Sequence, residues 1–176
     1  MVIDDALRYM GVLKPTGDDK KNVRNAIKEI ETVAQKKCII KEMPVSGVDE
    51  LLIGNDILKH IEGCGRVILF LATLGAGVDR LIKRAQIESM AGAVYIDAAA
   101  SALLEEYCDS LCREISETKI ITDRFSPGYG DMPIEIQPKL LEALGAKKIG
   151  VSVAKSFMMV PTKSVSAVIG VKGDKA

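Results

Sequence analysis

The sequence of 176 residues contains no tryptophan, only one histidine and no excess of either charge. A single histidine excludes a multi-histidine metal site and any catalytic pair of histidines. Because 24 Lys and Arg balance 24 Asp and Glu, the chain lacks the basic excess that is typical of general nucleic-acid binders. We therefore expect no nucleic-acid partner.

Long apolar runs are also missing. The longest, residues 67–78, ends at Asp79 and is too short to cross a bilayer. The acidic N-terminus, MVIDDALRYM, lacks the basic start and the apolar block of a secretory signal. We therefore expect a cytoplasmic protein without a membrane partner.

The cysteines form no recognisable metal motif. There are four, Cys38, Cys64, Cys108 and Cys112, with no Cys-x-x-Cys pair and no zinc spacing. Cys108 and Cys112 share a face of a predicted helix, so a metal or redox role is geometrically possible. Free cysteines are usually buried, which favours two small buried thiols and predicts no metal site.

What the sequence does contain is enough apolar material for one packed domain, with 48% hydrophobic and 27% charged residues. Periodicity predicts strands at residues 38–45, 49–53, 66–72, 119–124, 148–153 and 164–171. It predicts helices at residues 2–10, 19–36 (capped by Asp18), 55–62, 78–87, 91–117 and 136–144. Several helices bunched between strands indicate an α+β fold, one sheet with helices packed against it.

A polar row borders the apolar arc of the predicted helix 91–117. Asp97, Ser101 and Glu105 are spaced by four residues, so they lie one above another. Two carboxylates and a hydroxyl beside a core face can form the wall of a ligand site. A partly exposed polar edge explains the row equally well, and the spacing alone leaves both interpretations open.

Two other segments imitate known motifs. LATLGAG (71–77) lies between a strand and a helix, but it lacks the third glycine of a dinucleotide fingerprint and the Gly-Lys of a phosphate loop, so it is read as a tight turn. His60 precedes Gly63 as a cobalamin-ligating histidine does, but the required aspartate is displaced. A helical surface or half-buried histidine is the preferred interpretation.

Two later segments carry a pair of motifs in order. RFSPGYGDMP (124–133) contains Arg124-x-x-x-Gly128-Tyr129, and SFMMVPTKSVSAVIG (156–170) follows it. Together with FLATLG (70–75) and the acidic helix, they resemble the activation, or reactivation, domain of cobalamin-dependent methionine synthase in its shorter, stand-alone form. In that family the Arg-x-x-x-Gly-Tyr motif binds S-adenosylmethionine. The resemblance covers residues 66–170.

The resemblance implies a single domain over residues 1–176, mainly antiparallel sheet with packed helices. Residues 66–171 would form the S-adenosylmethionine-binding core, preceded by a helical and strand portion at residues 1–65.

The resemblance also implies contacts in the loop after residue 124. Arg124 would grip the ligand carboxylate with two parallel hydrogen bonds. Pro127 and Gly128 would form a stiff turn that lets the backbone approach the ligand, and Tyr129 would pack on an apolar part of it. The competing interpretation is a structural turn with Arg124 in a surface ion pair.

On the long helix, Glu105 corresponds to the family's ligand-side glutamate and would face the cationic end of S-adenosylmethionine. Asp97 and Ser101 are further candidates from the same row. No catalytic side chain is expected, because in this family cobalt supplies the nucleophile and the protein orients the methyl donor.

In that family, one electron from a flavodoxin- or ferredoxin-type donor and the transferred methyl group convert cob(II)alamin to methylcobalamin. This chain contains no substrate barrel or cobalamin domain, so we expect it to act in trans. Its partner would supply the cobalamin and would be a methionine synthase lacking an activation domain, or another corrinoid methyltransferase. The alternative is a non-catalytic docking module that binds a corrinoid protein but not S-adenosylmethionine.

Overall fold

The computed structural model describes residues 2–175 and has a four-stranded antiparallel sheet at its centre. In chain order the strands are β1 (Lys37–Pro44), β2 (Arg66–Thr73), β3 (Lys119–Ile121), β4 (Ser152–Val153), β5 (Met159–Val160) and β6 (Ser164–Asp174). The central sheet has the order β1-β2-β6-β3, and β4 pairs with β5 in a separate hairpin. All pairs are antiparallel, as expected for the predicted fold class.

Helices cover both faces of the sheet. They are α1 (Val2–Tyr9), α2 (Gly17–Val33), α3 (Asn55–His60), α4 (Ala76–Glu88), α5 (Met90–Thr118) and α6 (Gln137–Leu144). All six match predicted helices, with ends that differ by a few residues. Within residues 2–175, no helix combines the length and the apolar character that a bilayer span requires.

The central strand β2 is buried on both faces, which explains its continuous apolar run. Ile68, Phe70 and Ala72 pack into a core shared with α1, α2, α4 and α5. Val67, Leu69 and Leu71 alternate with them and pack into a second core shared with α3 and α6. The sheet is therefore the middle of three layers.

Helix α5 is the longest element, with 29 residues, and it packs against α1, α2 and α4. Its buried face is rich in alanine, which lets the neighbouring helices approach closely. Tyr95 of α5 donates a 2.7 Å hydrogen bond to Asp19 of α2. That bond, with those from Thr16, lowers the pKa of Asp19 to about 2.

Three local predictions are wrong. Helix α2 is capped by Thr16, whose hydroxyl accepts from the Asp19 amide, and not by Asp18. Residues 49–51 form a 3-10 turn where a strand was predicted at 49–53, and residues 146–149 form another where the strand predicted at 148–153 begins; only Ser152–Val153 of that range is a strand, β4. A 3-10 turn brings residues three apart to one side, and these turns point Leu51 and Ala146 into the second core.

Candidate functional site

The loop that carries the Arg-x-x-x-Gly-Tyr motif begins at the free edge of β6. Phe125 and Val168 exchange two backbone hydrogen bonds, of 2.9 and 2.8 Å, so the chain continues beside β6 after β3 has ended. The loop then crosses the sheet edge, from the α5 side at Arg124 to the second core, where Met132 is fully buried. The loop is thereby fixed to the sheet at Phe125 and anchored in the second core at Met132.

The middle of the loop is a tight turn that holds three of the predicted site residues. Pro127 is buried, and the Gly128 amide donates to the Met132 carbonyl at 2.9 Å. Gly128 has a φ of +90°, a conformation that favours glycine. Tyr129 projects outward with 67% of its surface exposed and lies edge-on to Phe125, with 6.5 Å between ring centroids.

The far side of the loop is bound to the start of α3. The Asp131 carboxylate accepts the backbone amides of Asn55 at 2.7 Å and Asp56 at 2.9 Å. The Asp131 amide in turn donates to the Asp56 carboxylate at 3.2 Å. These bonds lower the pKa of Asp131, chiefly that from the Asp56 amide and then that from Asn55. Asp131 therefore holds the loop against α3, a role that the sequence analysis missed.

Replacement of Asp131 by Asn is expected to destabilise the protein at neutral pH and to do so less in acid. Because the folded-state pKa is lowered, the stabilising contribution is complete above the ordinary value of 3.8 and is lost as the pH falls through the lowered value. Urea unfolding of wild type and Asp131→Asn at pH 7 and pH 3 tests this. Asp49→Asn, which changes an exposed carboxylate in a 3-10 turn, is the control. A difference in free energy of unfolding between wild type and Asp131→Asn that is larger at pH 3 than at pH 7 would contradict the assignment.

His60 also binds the loop. Its Nε2 lies 2.8 Å from the Asp123 carbonyl oxygen, and its ring lies 5.1 Å from that of Phe125. The only histidine of the chain is thus engaged in positioning the segment that leads into Arg124.

Arg124 reaches back from the loop to helix α5. Its Nη2 donates to Glu105 at 2.7 Å and to Asp109 at 3.0 Å, and 18% of its side chain is exposed. Its other amino group, Nη1, is buried and has no hydrogen-bond partner among the described residues. Arg124 and Glu105 were both predicted to contact a ligand, at its carboxylate and at its cationic end, and not to bind each other. Asp109 was not predicted as a site residue, although it continues the row of residues spaced by four.

Two thiols lie on the same face of α5 as the carboxylates that hold Arg124. Cys108 is buried and Cys112 is half-buried, which agrees with the favoured interpretation of this pair. Burial raises the pKa of Cys108 to about 12 and raises that of Cys112, although Arg124 opposes both changes. Both groups are therefore thiols at neutral pH and poor nucleophiles. No group of three or more candidate metal-ligand residues occurs within residues 2–175.

The other two members of the row are held by Lys163, from the second motif segment. Lys163 Nζ lies 2.8 Å from the Ser101 hydroxyl and 2.9 Å from the Asp97 carboxylate, and 13% of its side chain is exposed. The adjacent Thr162 binds Asp79 of α4 through its amide and its hydroxyl. Lys163 lies within the segment 156–170 that carries the resemblance, but it was not among the predicted site residues.

The row on α5 thus divides into two ion-paired halves. Asp97 and Ser101 bind Lys163, and one turn further on Glu105 binds Arg124. Tyr129 makes no hydrogen bond or ring contact with Arg124 or Glu105 among the described residues, so the structure brings together only part of the predicted set.

A groove of about 510 Å³ opens beside Arg124. Its lining includes Asp109, Cys112, Thr122 and Arg124. Charges of both signs in one groove suit a zwitterionic ligand.

Sequence comparison finds no matching protein-family model and no matching curated protein. The fold is similar to that of a solved structure, the crystal structure of the MetH reactivation domain bound to AdoHcy, with a TM-score of 0.65 and 15% sequence identity. The match covers 93% of this chain and 68% of that chain. At this identity the likeness shows the fold, and the predicted α+β class resembling an activation domain is confirmed.

Proposed function

We propose that this chain binds S-adenosylmethionine and presents its methyl group to cob(II)alamin of a partner protein for reductive methylation. The observation that carries the proposal is Arg124, which lies beside the acidic row of α5 with one amino group buried and unpartnered. The similar fold of the MetH reactivation domain bound to AdoHcy supports it. AdoHcy, S-adenosylhomocysteine, is what S-adenosylmethionine becomes once its methyl group has been transferred.

The residues of the site fit this ligand. A buried N–H without an acceptor costs free energy, and a ligand carboxylate would provide the acceptor once binding uncovers Arg124 Nη1. Glu105 lies next to it and is half-exposed, so it can face an ammonium or a sulfonium. The exposed ring of Tyr129 offers an apolar surface, and the backbone at Gly128 carries no side chain that would block approach.

When bound, S-adenosylmethionine supplies a methyl group activated by its sulfonium. The work of the chain is then to bind and orient: Arg124 and Glu105 hold the amino-acid end, and the turn at Gly128 holds the loop in place. Neither His60 nor the protonated Cys108 is required for proton transfer. This fits a protein that positions a methyl donor for a metal carried by its partner.

The partner in this proposal is a cobalamin-binding methionine synthase without an activation domain, or another corrinoid methyltransferase. The electron comes from a flavodoxin- or ferredoxin-type donor. The chain contributes the methyl donor and the partner contributes the cobalamin, so the protein is a component of a methyltransferase that acts in trans.

Titration calorimetry with three ligands tests the binding step. S-Adenosylmethionine and S-adenosylhomocysteine are expected to bind. Methylthioadenosine, which lacks the amino-acid end that Arg124 and Glu105 would hold, is expected to bind at least about tenfold more weakly, the loss that follows from one charge-assisted hydrogen bond. Equal affinity for all three would contradict the assigned contacts.

A second experiment tests the methyl transfer. The protein is mixed with a cob(II)alamin-loaded methionine synthase that lacks an activation domain, a reduced donor and S-adenosylmethionine. The spectrum of methylcobalamin is expected to return only when all components are present. Complex formation with the corrinoid protein, but no binding of S-adenosylmethionine, would instead support the docking module.

A further inference from the structure

The Arg124 guanidinium is already occupied by the protein's own carboxylates. An Nη nitrogen carries two hydrogens, and those of Nη2 point to Glu105 at 2.7 Å and Asp109 at 3.0 Å. A bidentate grip on a carboxylate uses either Nη1 with Nη2 or Nε with Nη2. Both modes need one hydrogen of Nη2. One of the two carboxylates must therefore leave before a ligand can be gripped in this way.

The contacts indicate that Asp109 is the one that leaves. Its bond to Arg124 is longer than that of Glu105, and its side chain is 57% exposed against 43% for Glu105. A more exposed carboxylate regains water more completely on release, so the release costs less. Asp109 also lines the groove beside Arg124, and Glu105 is not among the groove's lining residues. A ligand that enters the groove therefore meets Asp109.

We propose that Asp109 competes with the ligand carboxylate for Arg124, and that its release sets the affinity for ligands with an amino-acid end. The inference rests on the proposed function, because it concerns the same site. Glu105 remains on Arg124 and keeps the guanidinium oriented while Asp109 moves into the groove. Asp109 is thus a specificity-determining residue: ligands without a carboxylate do not displace it and do not bear this cost.

Affinity measurements on Asp109→Asn, with Asp109→Ala as a second variant, test the competition. Both are expected to bind S-adenosylmethionine and S-adenosylhomocysteine about threefold to fivefold more tightly than wild type, the size of one exposed ion pair. The affinity for methylthioadenosine is expected to stay unchanged. Glu114→Gln is the matched control, since it removes one exposed charge from the same helix and takes part in none of the ion pairs within residues 2–175.

The outcomes separate this inference from the proposed function. Weaker or unchanged binding by both Asp109 variants overturns the competition while the proposed function stands. An equal gain in affinity for these ligands in Glu114→Gln also overturns the competition, since the effect would then come from the net charge of the protein. If wild type binds neither S-adenosylmethionine nor S-adenosylhomocysteine, the proposed function fails and the inference fails with it.

Discussion

Arg124→Met is expected to weaken the binding of S-adenosylmethionine at least about 30-fold in titration calorimetry. The substitution keeps much of the aliphatic length but removes every donor that a ligand carboxylate could use. Loss of one partner of a desolvated charge pair costs about 2 kcal/mol or more, which corresponds to that factor. Folding is expected to survive, because the change also removes the buried and unpartnered Nη1.

Two further variants make this result specific. Arg124→Lys keeps the positive charge but loses the paired donors of the guanidinium, so it is expected to bind more tightly than Arg124→Met and more weakly than wild type. Arg24→Met makes the same substitution at an exposed position of α2 that takes part in none of the ion pairs of the described residues, and it is expected to bind like wild type. Full affinity in Arg124→Met would move the ligand site elsewhere in the molecule.

Gly77→Ala is expected to lower the free energy of unfolding by about 2–3 kcal/mol, the upper part of the range for overpacked sites. Gly77 lies in the first turn of α4, against the end of α2. A Cβ at this position would overlap the Val33 carbonyl oxygen and lie 3.2 Å from the Val33 carbonyl carbon. Both are backbone atoms that cannot rotate away, so the two helices would have to separate. Urea unfolding followed by circular dichroism measures the effect.

Gly92→Ala is the matched control, because it makes the same change in the first turn of α5. There the new Cβ would lie 3.5 Å from Ser89, an ordinary van der Waals distance. Alanine restricts the unfolded chain more than glycine does, so this variant is expected to be more stable than wild type by about 0.5–1 kcal/mol. Changes of the same sign in the free energy of unfolding of both variants would show that close helix packing at Gly77 does not determine the effect of the substitution.

The periodic features of the fold could be predicted from the sequence. The apolar run of β2 and the long amphipathic α5 each follow from local pattern, and so does the four-residue row on α5. The strand predicted at 49–53 and the first part of the one predicted at 148–153 are wrong for a related reason, since a short stretch with a few apolar residues fits a 3-10 turn as well as a strand. Which one forms depends on the surface that such a stretch covers, and a local pattern does not contain that information.

The pairing of charges in the site could not be predicted. The spacing by four identified the row on α5, but it did not indicate that Lys163, 62 residues after Ser101, binds it. Glu105 was expected to face the cationic end of a ligand, whereas it forms an ion pair with Arg124 of the same chain. Such contacts depend on how the loop crosses the sheet edge, which follows from the bonds of Phe125 and Asp131 and not from the motif.

Both motif segments are attached to one helix, Arg124 through Glu105 and Lys163 through Ser101. The distance between these two cations along α5 is therefore set by a single helical turn and not by the chain that joins them. The hairpin loop at residues 154–158 could lengthen or shorten in related proteins without moving either cation, because loop length changes closure entropy only slowly. One residue inserted between Ser101 and Glu105 would instead rotate one anchor by about 100° relative to the other and separate the two halves of the site.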